Sequence, residues 1–320
     1  MTARLLVPTA LLGLFAASLL LPWTSLADLI ARDRALGAAV LLELRLPRAV
    51  LALLYGAMLG ASGAAIQALF ANPLASPDLT GTTSGAALGA VVVAYLFGFA
   101  SPLAHAIGAV SGAVGALLLL LALAGPRAET STLLLSGLAI SALAGALTTL
   151  ALALAPSPFA FYDAYEWLLG SLVDRSLAQA AFAAIPALIT MALLMRLAGP
   201  LDSLTLGEEV AQSLGHDVGR LRLQVVTLSA IGVGACVAIC GAIGFIGLIA
   251  PIFARRLSRG HPGRAILPAA AIGATLLLAA DLVTRMAPLG RVLPIGVVTA
   301  LLGAPFFLWL VARMRWQLSR

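Results

Sequence analysis

Hydrophobic residues run along this chain in long stretches that no Asp, Glu, Lys or Arg interrupts. Eight such stretches occur, at residues 5–27, 49–77, 79–126, 130–162, 176–195, 223–254, 265–280 and 292–312. A helix that crosses the hydrocarbon core of a membrane needs about 20 mostly apolar residues. The pattern therefore predicts an all-α integral membrane protein, organised as one transmembrane domain over residues 1–320, in which most stretches form one helix each.

Two of the stretches are too long for a single membrane helix. Residues 79–126 contain turn-forming residues near their middle: Gly98, Ser101 and Pro102. In residues 223–254, glycines from Gly241 onward predict one helix to about residue 240 and a short helix that ends near Arg259. With these divisions the chain has ten membrane helices. Glycine pairs four residues apart, such as Gly56 and Gly60, predict close helix packing.

Charge distribution supports the count of ten. With ten helices, twelve of the 19 arginines lie on one side and seven on the other, whereas nine helices remove this bias. Positive loops face the cytoplasm. We therefore expect both termini to be cytoplasmic. Residues 1–27 also resemble a signal peptide, but a run of 23 apolar residues favours a retained first helix.

Composition excludes several kinds of chemistry. The chain is 62% hydrophobic and 10% charged, and it has 19 arginines but no lysine. Without lysine there is no Walker A loop and no lysine nucleophile or base. Cys236 and Cys240 lie on one helix face and are interpreted as small packing residues. No residue spacing indicates a catalytic group, a metal site or a bound cofactor, so any ATP hydrolysis would require another subunit.

The loop at residues 199–221 contains a short amphipathic helix. Thr205 and Glu208 are predicted to form a capping box, and Gly215 to end the helix. An apolar stripe follows at helical spacing, at Leu206, Val210 and Leu214. A helix of about nine residues is only marginally stable in water, so this stripe must pack on something. Spacing alone leaves two choices, the protein's own inner face or a partner.

Several motifs, in order along the chain, carry a family resemblance. They are Arg45-Leu46-Pro47-Arg48, residues 67–77 (QALFANPLASP), Leu206-Gly207-Glu208-Glu209, residues 241–248 (GAIGFIGL), residues 293–300 (LPIGVVTA) and residues 303–307 (GAPFF). From about residue 43 to the C-terminus the chain resembles FecCD-type permeases, which serve ATP-driven bacterial importers of iron-siderophores, haem and vitamin B12. The resemblance implies a type II ABC importer fold with ten helices.

The resemblance also implies partners and the residues that meet them. A second permease subunit, identical or homologous, two ATPase subunits that carry ATP and Mg, and a substrate-binding protein are expected; no nucleic acid is. The loop helix corresponds to the family's ATPase-coupling region, which shifts the choice above towards a partner. Its residues are Leu206, Gly207, Glu208, Glu209, Val210 and Leu214. Three outer arginines would receive carboxylates of the binding protein: Arg45, Arg48 and Arg285. The alternative for these arginines is local pairing, of Arg45 with Glu43 and of Arg285 with Asp281.

Two inner segments resemble the family's cytoplasmic gates. Asn72 and Leu74 follow the second helix, and Thr130 and Ser131 precede the fifth. Asn72 before proline also suits an ordinary turn, and Thr130 or Ser131 also suits a cap for a helix that begins at residue 132. The family's frequent histidine after residues 249–251 is replaced here by Ile252, so no role of that histidine applies.

The cargo that the resemblance implies is a metal chelate, with iron-siderophore or haem first and vitamin B12 as the alternative. A secondary transporter or channel that works without ATP is the competing class. Few charged groups fall inside the predicted spans, whereas transporters driven by protons or sodium usually place acids or histidines there. This scarcity favours an energy source outside the chain.

Overall fold

The computed structural model describes residues 2–96, 102–125, 130–286 and 293–318, and most of these are helical. The helices are α1 (Thr2–Leu20), α2 (Trp23–Arg32), α3 (Arg34–Ala39), α4 (Leu46–Leu69), α5 (Thr82–Leu96), α6 (Pro102–Ala124), α7 (Thr130–Ala153), α8 (Pro158–Leu168), α9 (Leu177–Arg196), α10 (Ala198–Ser203), α11 (Glu208–Ser213), α12 (Val218–Cys240), α13 (Ile246–Leu257), α14 (Ile266–Met286) and α15 (Ile295–Leu318). A π-helical turn, Val40–Arg45, leads into α4. Helices satisfy their backbone groups internally, as a lipid environment requires. The prediction of an all-α membrane protein is confirmed.

Six described segments are long and apolar enough to cross a membrane. They are Arg34–Leu69, Leu103–Ala124, Ser131–Ala153, Leu177–Arg196, Val218–Cys240 and Gly263–Met286. The bent pair α1 and α2 would add a seventh, and α5 and α15 contribute shorter apolar segments. Helix α13, with 12 residues, is only about 18 Å long. The multi-span architecture agrees with the sequence, whereas the count of ten spans and the cytoplasmic termini stay predictions.

The stretch 223–254 divides as predicted, with α12 ending at Cys240 and α13 beginning at Ile246. The backbone between them leaves the helical conformation, and φ reaches +73° at Gly241 and +67° at Phe245. The Tyr55 hydroxyl donates to the Gly241 carbonyl at 3.2 Å and accepts from the Ile243 N–H at 3.3 Å. These bonds satisfy unwound backbone inside the bundle, where no water would replace them.

Helix α4 occupies the centre of the bundle and is buried along most of its length, against α9, α12, α13 and α14. Three pairs among the described helices approach so closely that a Cβ on their glycines would overlap the opposite backbone, and one of them joins Gly63 of α4 to Gly247 of α13. The other two join Gly56 and Gly60 of α4 to α14 near Gly273, and Gly85 and Gly89 of α5 to Gly108 and Gly112 of α6. The predicted role of the glycine spacing in close packing is confirmed. Cys236 and Cys240 are buried as free thiols in the same core.

Candidate coupling, docking and gate sites

The candidate residues lie at two opposite ends of the helix bundle. Helix α14 runs from one end to the other. At one end, the Gly263 N–H just before α14 donates to the Asp202 carboxylate, 2.8 Å away, in the loop 199–221. At the other end, the last turns of α14 carry Asp281 and Arg285. With 21 residues, α14 is about 31 Å long, close to the thickness of a membrane's hydrocarbon core. We name the two ends the coupling end and the arginine end.

The coupling loop folds differently from the predicted capping box. Leu204–Leu206 forms a 3₁₀ turn, in which the Thr205 hydroxyl donates to the Asp202 carbonyl at 2.7 Å. Helix α11 begins at Glu208 with Gly207 as its N-cap, at φ +100°, a conformation that glycine adopts without steric cost. The capping-box prediction was wrong because Thr205 bonds backward to α10. The prediction that Gly215 ends the helix is confirmed, since its φ is +87° and the following His216 N–H donates to the Ala211 carbonyl at 3.1 Å.

The apolar stripe of the loop points away from the protein's own surface. The exposed fractions of Leu206, Val210 and Leu214 are 63%, 44% and 59%, whereas Ala211 is fully buried. The loop therefore anchors through the small Ala211 of α11 and leaves its three larger apolar side chains uncovered. Leu206 and Leu214 are each large enough that burying them would contribute roughly 1.5–3 kcal/mol.

One ion pair fixes the loop helix to the membrane helix that follows. The Glu208 carboxylate in the first turn of α11 bonds the Arg222 guanidinium of α12. Glu208 remains half exposed, while Arg222 is largely buried. The adjoining Gly207 and Glu209 are exposed. Sequence reasoning missed Arg222 because the two charges are 14 positions apart and meet only through the turn between α11 and α12.

At the arginine end, one buried carboxylate holds two of the three predicted arginines. Asp281 is fully buried, and its Oδ1 accepts from Arg48 Nε at 2.7 Å. Its Oδ2 lies 2.7 Å from Arg285 Nη2. Arg48 also donates to the Thr284 hydroxyl at 3.0 Å, and Arg285 to the Ser18 carbonyl at 2.7 Å. These contacts join α1, α4 and α14 at one point.

Arg45 lies at the same end but bonds a different partner. Its guanidinium donates to the Leu19 carbonyl at 2.9 Å, at the C-terminus of α1. A cation at this position meets carbonyls that have no partner within the helix. The pairing with Glu43 that the sequence allowed is not observed, whereas the pairing of Arg285 with Asp281 is. Three arginines with one contacting carboxylate among the described residues leave a formal excess of two positive charges.

The two gate segments lie at the coupling end. The Asn72 side chain accepts from the Leu74 N–H at 2.9 Å, which closes a turn just after α4. Next along the chain is the 3₁₀ turn Pro77–Thr80, where burial raises the pKa of Asp78, and this turn packs against α7. Helix α7 itself includes Thr130 and Ser131. Neither residue therefore caps a helix that begins at residue 132, and that alternative was wrong.

A cavity of about 460 Å³ opens between α8, the turn after it and the start of α15. It is lined by His105, Asp163, Glu166, Trp167, Asp174 and Arg175, among others. The His105 and Trp167 rings stack with their centroids 6.1 Å apart. On α8, Phe159, Tyr162 and Tyr165 stay exposed, as suits aromatic side chains at a membrane interface.

Comparisons with known proteins agree with this architecture. A sequence model of the FecCD transport family matches residues 5–313. The vitamin B12 import system permease protein BtuC of Vibrio cholerae serotype O1 is 40% identical over 284 residues, which cover 85% of this chain and 82% of that protein. The Fe(3+)-citrate import system permease protein YfmE of Bacillus subtilis is 39% identical over 276 residues, 85% of this chain and 81% of that protein.

Two solved structures share the fold. One is described as an inward-facing conformation of a metal-chelate type ABC transporter, with a TM-score of 0.82 and 32% identity over 96% of this chain and 99% of that one. The second, PsaBC from Streptococcus pneumoniae in complex with Fab, has a TM-score of 0.58 at 19% identity over 89% of this chain and 94% of that one, and shows the fold alone. Together with the helical bundle, these findings define a multi-pass membrane permease of the ABC transporter class. The chain belongs to the FecCD transport family.

Proposed function

We propose that this chain is the permease subunit of an ATP-driven importer that carries a bulky metal chelate inward across a bacterial inner membrane. The proposal rests on two surfaces at opposite ends of α14, each of a kind that binds another protein. One is an uncovered apolar stripe on a short helix, and the other is an arginine cluster with excess positive charge. A permease that links a soluble ATPase to a binding protein across the membrane needs both.

The coupling loop is the proposed seat of the ATPase. Its exposed residues Leu206, Val210 and Leu214 would enter an apolar cleft of that subunit, with Gly207, Glu208 and Glu209 beside them. The Glu208–Arg222 ion pair would transmit a push on the loop directly to α12. ATP and Mg would bind on the ATPase, since this chain has no lysine for a phosphate loop.

The arginine end is the proposed docking site for a substrate-binding protein. The fixed fork of an arginine side chain holds a carboxylate through two hydrogen bonds. Arg45, Arg48 and Arg285 are mostly buried in this chain alone, with Asp281 holding two of them in place. An incoming carboxylate would therefore bind an ordered cluster. It would accept hydrogen bonds from the guanidinium N–H groups that do not already bond Asp281 or the α1 carbonyls.

The proposed cytoplasmic gate is formed by the turn at Asn72 and Leu74 together with the start of α7 at Thr130 and Ser131. Both segments lie at the coupling end. A second permease subunit, either a copy of this chain or a homologue, would complete the pathway between them.

An iron-siderophore or haem is the proposed cargo. The relatives support a metal chelate, and the 40% identity to a vitamin B12 permease supports cobalamin as a second candidate. The carboxylates of Asp163, Glu166 and Asp174 beside the lining Arg175 make the cavity between α8 and the start of α15 acidic. Among iron-siderophores, such a cavity favours a neutral or cationic chelate over a polyanionic one.

The deciding experiment is transport by the chain reconstituted with and without its ATPase and binding protein. We expect concentrative uptake of the labelled chelate only when both partners and ATP are present. Vesicles that contain the chain alone should show no uptake when a proton gradient, which an uncoupler abolishes, is applied. Uptake driven by such a gradient would instead identify a secondary transporter.

A variant tests the coupling site separately. Glu208→Arg with Leu214→Asp should abolish co-purification of the ATPase, because it reverses the loop's charge and breaks its apolar stripe. Glu43→Arg, an exposed charge reversal at the arginine end, is the matched control and should co-purify normally.

The docking site is tested by a variant at the arginine end. Arg48→Glu with Arg285→Glu should weaken capture of the binding protein in a salt-dependent way. Unchanged capture by that variant would rule out the docking assignment.

A further inference from the structure

A second cavity, of about 480 Å³, lies at the coupling end between α1, the end of α13 and the start of α14. No residue of the coupling loop, the gate segments or the arginine cluster lines it. One part of its wall is basic, and the other is apolar. This division matches the two parts of a phospholipid.

The basic part consists of Arg259, His261 and Arg264, in the segment that joins α13 to α14. All three are exposed. Among the described residues, one carboxylate approaches this group: Asp202, whose Oδ2 lies 3.8 Å from Arg264 Nε. The Arg264 side chain remains 72% exposed. No aspartate or glutamate occurs between Asp217 and Asp281, so the surrounding sequence supplies no other counter-charge.

The apolar part comes from two helices of the bundle. Val7 and Pro8 contribute from α1, and Leu267 and Ala271 from α14. Leu267 is 62% exposed, although it belongs to a segment long and apolar enough to span a membrane. An exposed apolar surface on a segment of this kind suits contact with a lipid acyl chain.

We propose that this cavity binds an anionic phospholipid of the leaflet on the coupling side. Its phosphate lies between Arg259 and Arg264 with His261 beside it, and an acyl chain follows the wall at Leu267 and Ala271. Basic pockets between membrane helices attract anionic headgroups in this way, and a lone phosphate would leave the apolar wall unused.

The site is connected to the coupling loop through Asp202. One oxygen of that carboxylate accepts from the Gly263 N–H at 2.8 Å, and the other lies 3.8 Å from Arg264. A phosphate that binds Arg264 competes with this longer contact but leaves the bond to Gly263 intact. Lipid binding therefore acts on the base of the coupling loop without unfolding it.

Native mass spectrometry of the chain in detergent tests the proposal. The chain is titrated with phosphatidylglycerol and, in parallel, with phosphatidylcholine of the same acyl chains. We expect tighter binding of phosphatidylglycerol, and a loss of about fivefold for each arginine removed in Arg259→Gln with Arg264→Gln. Arg259→Lys with Arg264→Lys should keep most of the preference, as should Arg196→Gln, an exposed arginine at the same end outside the cavity.

A second variant tests the apolar wall. Ala271→Trp fills the groove, so it should weaken binding of both lipids while the arginines remain. The proposal is overturned if the double glutamine variant binds phosphatidylglycerol as the unmodified chain does, or if millimolar inorganic phosphate displaces the bound lipid. It is also overturned if the double glutamine variant keeps its lipid but no longer co-purifies with the ATPase. The basic segment would then be a protein-docking surface.

Discussion

Replacing Asp281 by asparagine should destabilise the protein more than any exposed charge change. Asp281 is fully buried and lies 2.7 Å from both Arg48 Nε and Arg285 Nη2. Asparagine keeps the size of the side chain but leaves two guanidinium groups, 16% and 10% exposed, without their counter-charge. Removing one member of a buried ion pair costs about 3–5 kcal/mol. Because both arginines retain some contact with solvent and with Thr284 or Ser18, we expect the lower figure, about 3 kcal/mol.

The chain carries its own reporter for this measurement. Cys236 and Cys240 are buried free thiols, so a thiol-reactive dye should label them only as the bundle unfolds. In a protein of this size, 1 kcal/mol shifts Tm by about 2 °C, so Asp281→Asn should lower Tm by about 6 °C. Glu43→Gln removes an exposed carboxylate at the same end, and its Tm should change by about 1 °C or less.

A compensating variant separates the electrostatic explanation from a packing defect. Arg48→Met, Asp281→Leu and Arg285→Met together remove all three charges, so most of the lost stability should return. A Tm for Asp281→Asn within 1 °C of the unmodified protein would refute the reasoning, since it would mean that the arginines need no buried counter-ion. Failure of the triple variant to recover would instead assign the loss to packing.

Three further predictions concern packing, the helix break and the gate. Gly112→Ala should lower Tm by several degrees because its Cβ would overlap the α5 backbone, whereas Gly115→Ala on the same helix meets nothing and should not; equal shifts would contradict this packing. Tyr55→Phe leaves two buried backbone groups unpaired and should cost about 1–3 kcal/mol, read by the same thiol assay; an unchanged Tm would show that water replaces the hydroxyl. Thr130→Trp with Ser131→Trp should reduce chelate flux in reconstituted vesicles at least tenfold while ATPase binding persists; normal flux would exclude these positions from the gate.

The helix positions could be read from the sequence because lipid imposes a simple rule. Every backbone group inside the membrane must find its partner within a helix, so long apolar stretches become helices. The division of residues 223–254 could be predicted for a different reason, because Gly241 and the glycines after it interrupt the helical pattern. The end of α11 at Gly215 followed from the left-handed backbone that glycine permits.

The capping prediction at Thr205 shows where such rules stop. A threonine three residues before a glutamate suits a capping box, but Thr205 has a competing acceptor in the Asp202 carbonyl. Which of the two bonds forms depends on how α10 approaches the loop. That approach involves contacts distant in sequence, such as the bond from the Gly263 N–H, 61 positions further on, to the Asp202 side chain.

The sequence by itself determined the class of architecture, the small-residue contacts between helices and the motifs of the FecCD transport family. It also placed the candidate arginines and the loop helix in order along the chain. Only the tertiary structure decided that Arg48, Asp281 and Arg285 share one buried contact, and that the stripe at Leu206 and Leu214 stays uncovered. The physical reason is separation: local periodicity and backbone preferences act over a few residues, whereas Arg48 and Asp281 are 233 positions apart and meet only when α4 packs against α14.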